Sequence, residues 1–153
     1  MSSENQAFVQ SLADAWGARD IEAIMGHFTD DIVYHNIPME PAEGPDAVRE
    51  VIAGFVGMAE SIVFETLHEV ADGNLVMNER VDTFVIGGNP TAIKVMGTFE
   101  LRDGKIARWR DYFDMSASTP SITNMGIPMA SIILCIGCIC ERRSSGMGGR
   151  LAL

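Results

Sequence analysis

Cysteine is absent before Cys135, and the three that exist, Cys135, Cys138 and Cys140, fall in one short segment. With no partner elsewhere they cannot staple the body of the chain, so a reducing, cytoplasmic setting is expected. Basic residues are also scarce: eleven Lys and Arg stand against twenty-one Asp and Glu, a net charge of −10. A protein this acidic repels nucleic-acid phosphates and anionic membrane surfaces, so neither is expected as a partner. The opening stretch MSSENQAFVQSLADAW has no basic n-region and no apolar h-region, and it reads as lacking a secretory signal. The longest apolar run, Ile127 to Cys140, is broken by Pro128, Ser131 and Gly137 and falls short of the ~20 residues a membrane-spanning helix needs. There is no GxGxxG, no Gly-Lys-Ser/Thr loop and no GxSxG, so a nucleotide cofactor or a serine nucleophile finds no support. His27, His35 and His68 are scattered, and no second Cys or His cluster completes four ligands around the cysteines, so no metal site is expected.

What remains is ordinary globular material. Of the 153 residues, 47% are apolar and 21% charged, which suits one compact domain. The composition changes near Pro120. Residues 1–120 hold eight basic side chains against twenty acidic ones, a net of −12, whereas 121–153 hold Arg142, Arg143 and Arg150 against Glu141 alone. The first part is expected to be the catalytic domain. The second, rich in Gly, Ser and Met, is expected to be an atypical tail rather than a separate domain.

Ser3 to Arg19 reads as a helix, with Phe8, Leu12, Ala15 and Trp16 at three- and four-residue spacings and Ser3 with Gln6 as a possible capping box. Asp20 to Phe28 reads as a second short helix, and IVYHNIP as a strand closed by Pro38. Residues 45–58 form a third helix, with Pro45 in its first turn and Val48, Ile52, Phe55 and Val56 inward. Four strands follow, Ser61 to Ala71, Leu75 to Ile86, Thr91 to Leu101 and Lys105 to Phe113. Asp72-Gly73 and Asp103-Gly104 among their connections suit hairpin turns that need positive φ. Helices followed by an antiparallel meander predict an α+β fold: N-terminal helices packed on a curved, mostly antiparallel sheet that forms a cone with an internal pocket.

Charges interrupt the apolar alternation of that sheet. Period two places Arg80, Asp82 and Phe84 on one face of NERVDTFVI, groups Trp109, Asp111 and Phe113 in RWRDYFD, and groups Ile93, Val95, Gly97 and Phe99 in TAIKVMGTF. If those sets share the concave face, a guanidinium and two carboxylates sit in an apolar pocket. Burial raises a carboxylate pKa while a neighbouring Arg lowers it, so one carboxyl can serve as acid and the other as base. The plainer alternative is a solvated outer face with an ordinary Arg80–Asp82 surface pair. Tyr34 and Asn36 likewise share one face of VYHNIP, and could simply be an edge-strand Tyr and a turn Asn.

Taken in order, VYHNIP with Tyr34 and Asn36, NERVDTF with Arg80 and Asp82, and GKIARWRDYFD with Asp111 resemble the limonene-1,2-epoxide hydrolase family over about residues 5–115. The resemblance implies a cone-shaped fold of the nuclear-transport-factor-2 (NTF2) and ketosteroid-isomerase type, a homodimer, and cofactor-independent hydrolysis of a small lipophilic epoxide by direct attack of water. It implies Asp111 as the base on that water, Tyr34 and Asn36 as its holders, Asp82 as the acid on the epoxide oxygen and Arg80 as the bridge between the carboxylates. Phe84, Ile93, Val95 and Phe113 are then the candidate walls for substrate, with Trp16 and Phe55 as weaker ones. The tail matches nothing in the family. Two other classes stay open: a ketosteroid-isomerase-like or polyketide-cyclase-like enzyme on the same fold, and a non-catalytic binding module.

Overall fold

The computed structural model describes residues 2–114, so the expected boundary at 120 and the tail 121–153 lie outside the described residues. Helix α1 (Ser2–Ala18) opens the chain, followed by the one-and-a-half-turn α2 (Ile21–Gly26), β1 (Phe28–Asn36), the two-residue β2 (Ala42–Glu43) and α3 (Gly44–Met58). Four long strands complete the fold: β3 (Ser61–Asp72), β4 (Leu75–Ile86), β5 (Asn89–Arg102) and β6 (Lys105–Phe113). Among the described residues no helix is long and apolar enough to cross a membrane.

The α+β architecture agrees with the sequence expectation, with differences in detail: among the strands, β3 runs on through Asp72 and β5 already begins at Asn89. Helix α1 begins at Ser2, so Ser3 lies inside its first turn rather than at a cap. Asp20 is not helical but the N-cap of α2, its carboxylate accepting the Ala23 N–H at 3.0 Å, and Phe28 already belongs to β1. The sheet is also larger than the four-strand meander: six strands in the order β2-β1-β6-β5-β4-β3, with β1 running parallel to β6. That parallel contact closes over all the intervening chain from β2 to β5. It places Tyr34 beside Trp109 and Asn36 beside Asp111.

The turns follow from residue type. Asp103 and Gly104 adopt φ of 52° and 75°, the left-handed pair that a two-residue hairpin loop between twisted strands requires. Pro45 lies in the first turn of α3, where its missing N–H is no loss. From there Val48, Ile52 and Val56 recur on the buried side. They join Val9, Leu12 and Trp16 of α1 and Ile62, Val76, Phe99, Ile106 and Trp109 of the sheet in one apolar cluster between helices and strands. The sheet does not close on itself, and its concave face is turned toward the helices.

Candidate active site

Cross-strand register decides which side chains meet. Asp82 lies opposite Ile93, Arg80 opposite Val95, and Gly97 opposite Asp111, so the inward residues of β4, β5 and β6 form one surface. The plainer outer-face alternative for these charges is thereby excluded. Arg80, Asp82 and Asp111 are 2%, 5% and 3% exposed, more deeply buried than charged side chains are unless paired.

Each of the three charges is paired. Arg80 Nε donates to Asp82 Oδ1 at 2.8 Å, and Nη2 donates to both Asp82 Oδ2 at 3.0 Å and Asp111 Oδ2 at 2.7 Å. Nη1 donates to Asn78 Oδ1 at 3.2 Å. The second oxygen of Asp111 accepts the Trp109 indole N–H at 2.7 Å. Aromatic faces surround the guanidinium carbon at 5.2 Å (Phe64), 5.8 Å (Trp109) and 5.9 Å (Phe99), the range in which a cation is attracted to a ring. Tyr34 stacks on Trp109 at 4.2 Å between centroids and donates its hydroxyl to Asn36 Oδ1 at 3.2 Å.

These surroundings shift the acidities of Asp82, Tyr34 and Arg80. Loss of solvent pushes Asp82 up to about 7 against the lowering pull of Arg80, and Asp111 nearby adds to the rise. Burial, reinforced by Asp111, holds the Tyr34 phenol well above its ordinary range, so it stays neutral and can donate a hydrogen bond. Arg80 is pushed further toward its charged form, because its two carboxylate partners outweigh the desolvation that opposes them. One guanidinium therefore touches two carboxyl groups, one of which holds a proton near neutral pH.

All five polar residues read from the sequence come together here. The four candidate wall residues share the concave face: Val95 is buried, and Phe84, Ile93 and Phe113 are half-buried. Phe84 packs on Phe55 and Phe64, at 5.7 and 6.2 Å between centroids. Trp16 meets Trp109 edge-on at 6.1 Å and lies in the core cluster. The histidines are engaged elsewhere, His27 with Ser11 and the Ala23 carbonyl, His35 with the Met39 carbonyl, and His68 with Glu79. Among the described residues no three His, Cys, Asp or Glu side chains converge as metal ligands.

The sequence pattern of the SnoaL-like domain matches residues 9–109. The chain belongs to the SnoaL-like domain family. It is 32% identical over 109 residues to "Epoxide hydrolase EphG" of Mycobacterium tuberculosis (strain ATCC 25618 / H37Rv), covering 70% of this chain and 71% of that one. A solved structure of an M. tuberculosis LEH-like epoxide hydrolase is similar with a TM-score of 0.67 at 26% identity, over 87% of this chain and 97% of that one. The epoxide hydrolase/cyclase-like enzyme SalBIII, at 21% identity, shares the fold with a TM-score of 0.69 over 74% and 93% of the two chains. The polar cluster thus sits in an NTF2-like enzyme fold with epoxide-hydrolase relatives.

Three residues of this SnoaL-like site carried no role in the sequence reading. Trp109 was placed on the correct face, yet a Trp beside an Asp at i+2 does not announce an indole-to-carboxylate bond. Phe64 and Asn78 sit opposite Asp82 and next to Arg80 in space, and their alternation with the charged set along β3 and β4 was the available signal.

The raised Asp82 pKa has a consequence for stability. The folded protein holds this proton more tightly than the unfolded chain, whose ordinary value is 3.8. The contribution is therefore complete below about pH 4 and is lost as pH rises to about 7. The melting temperature is expected to decline across that interval, and less steeply in Asp82→Asn. Calorimetry at a series of pH values checks this, and an equally steep decline in the variant contradicts it.

Proposed function

We propose that the protein hydrolyses a small lipophilic epoxide to a vicinal diol in one step, by the limonene-1,2-epoxide hydrolase type of reaction and without a cofactor. The observation that carries the reading is the guanidinium of Arg80 shared between Asp82 and Asp111 on the concave face, with Tyr34 and Asn36 adjoining Asp111. In this reading Tyr34, Asn36 and Asp111 hold a water, whose oxygen attacks one ring carbon as its proton passes to Asp111. The carbon–oxygen bond of the ring breaks in the same step, and Asp82 gives its proton to the departing oxygen. Water is a weak nucleophile and an alkoxide a poor leaving group, so both transfers lower the barrier, each by typically ~10²–10⁴-fold in rate. Phe84, Ile93, Val95 and Phe113 supply apolar walls that suit a hydrocarbon skeleton.

An isomerase or cyclase of the same fold needs an acid/base pair but no cation bound to both of its members. The Arg80 bridge is what favours the hydrolase. A second copy of the chain is the proposed partner: Val63, Val70, Met96 and Tyr112 are exposed on the outer side of the sheet, an apolar face that a homodimer would cover. Sedimentation equilibrium on the full chain reads this directly, and a monomer at micromolar concentration refutes it.

Diol formation from a panel of epoxides that includes limonene-1,2-epoxide tests the reaction. Asp111→Asn and Asp82→Asn are each expected to lower kcat by at least ~10²-fold while remaining folded. Wild-type turnover is expected to fall above about pH 7, where Asp82 gives up the proton it must donate. Either variant turning over at the wild-type rate overturns the assignment, and a folded wild type inert on every epoxide shifts it to the isomerase or binding class.

A further inference from the structure

One row of the concave face runs across five strands: Glu69 on β3, Asn78 on β4, Gly97 on β5, Asp111 on β6 and Asn36 on β1. Gly97 alone in this row lacks a side chain, and it lies between Asn78 and Asp111. Arg80 belongs to the neighbouring row, opposite Val95 and Thr66. Its side chain leans out of that row and lies over Gly97. A Cβ added at Gly97 would stand 2.2 Å from Arg80 Nη1, 2.8 Å from Asn78 Oδ1 and 3.0 Å from the Phe99 ring. The backbone of Gly97 is not in the left-handed region, so space and not conformational freedom explains the glycine.

Asn78 forms the other side of the seat. It is buried, and its Oδ1 accepts from Arg80 Nη1. Glu69 faces it directly across β3 and β4; partial burial raises the Glu69 pKa, and the Asn78 side chain lowers it. An amide has an oxygen at one end and an NH₂ at the other. A carboxyl on the NH₂ side therefore fixes the oxygen toward the guanidinium. Glu69 reaches this row because β3 shifts register between Thr66 and His68, which turns Glu69 and Ala71 inward where simple alternation would have pointed them out.

We propose that Gly97, Asn78 and Glu69 are positioning residues for the reaction: together they aim Arg80 so that one Nη2 group serves both Asp82 and Asp111. None of the three carries a proton to or from substrate. Gly97 provides the room, Asn78 holds Nη1 from the side away from Asp111, and Glu69 sets the direction of the Asn78 amide. The inference deepens the hydrolase reading and rests on it for its kinetic test, while its structural test is independent of any substrate.

Gly97→Ala and Asn78→Leu are the decisive variants, compared with wild type in the full chain. Displacing a catalytic group by about 1 Å can lower the rate about 100-fold, so kcat for epoxide opening is expected to fall by that order in both, with KM changing by less than about three-fold. The upper limb of the pH–kcat profile is expected to move, because Arg80 no longer meets Asp82 and Asp111 in the same geometry. Glu69→Gln, which keeps an acceptor for the Asn78 amide, is expected to retain more activity than Glu69→Leu. In parallel, nitrogen-15 NMR of the Arg80 side chain reads the aim directly: resolved Nη protons in wild type, exchange-averaged or shifted ones in the variants. Should Gly97→Ala fail to fold, Asn78→Leu decides. Folded variants with wild-type kcat and pH limb overturn the proposal. If the wild type opens no epoxide, the hydrolase reading fails by itself, and the NMR comparison still decides the positioning: unchanged Arg80 signals in folded Asn78→Leu overturn it.

Discussion

Everything around the site answers to the burial of one guanidinium. Removing a charged group from water carries a penalty of several kcal/mol per ion, which is recovered only when geometry is good and every remaining donor is satisfied. Arg80 goes far toward both, with four hydrogen bonds from its five N–H groups. Its Nε, Nη1 and Nη2 nitrogens each have an acceptor, and three aromatic faces stand about its plane. Such clusters are poor devices for stability, since an apolar replacement of the same volume is often as stable or more so. A buried Asp–Arg–Asp arrangement in a fold that could have used Leu and Phe is therefore better explained by chemistry. The chemistry available is asymmetric: two carboxyl groups share a cation, but burial keeps a proton on Asp82 near neutral pH.

The sheet converts sequence order into this asymmetry. Residues on four strands arrive at one place because β5 pairs with both β4 and β6, and because β1 returns parallel to β6. The antiparallel pairs bring Arg80 and Asp82 toward Asp111. The parallel pair adds Tyr34 and Asn36 on the far side of Asp111. The proposed reaction needs a held water on one side and a proton donor on the other; the register sets Tyr34 and Asn36 on one side of Asp111 and Arg80 with Asp82 on the other, through strands instead of loops.

Much of this was legible along the chain. Period-two alternation put Arg80 with Asp82 and Asp111 with Trp109, and the Asp-Gly pairs marked the hairpins that align them. Four features were not legible, each for a physical reason. The parallel pairing of β1 with β6 is a long-range contact with no local signature, since both strands carry the same alternation whichever edge they join. The inward turn of Glu69 depends on the register shift between Thr66 and His68, which reverses faces without any Gly or Pro to announce it. The N-terminal cap was misplaced because Ser2 and Ser3 are both competent to begin a helix, and sequence preference alone does not choose between neighbours. Gly97 was assigned to the right face, but its purpose needs the rotamer of Arg80, which no pattern encodes.

The central claim is direct attack by water with no ester to the enzyme, and a single turnover in H₂¹⁸O tests it most directly. Enzyme in excess over epoxide should give diol carrying one ¹⁸O in the first turnover, with no label in the carboxyl groups of Asp82 or Asp111. Unlabelled diol in that first turnover, with ¹⁸O appearing in an aspartate, would mean that a carboxylate attacked the ring, and would contradict the acid/base account of this site.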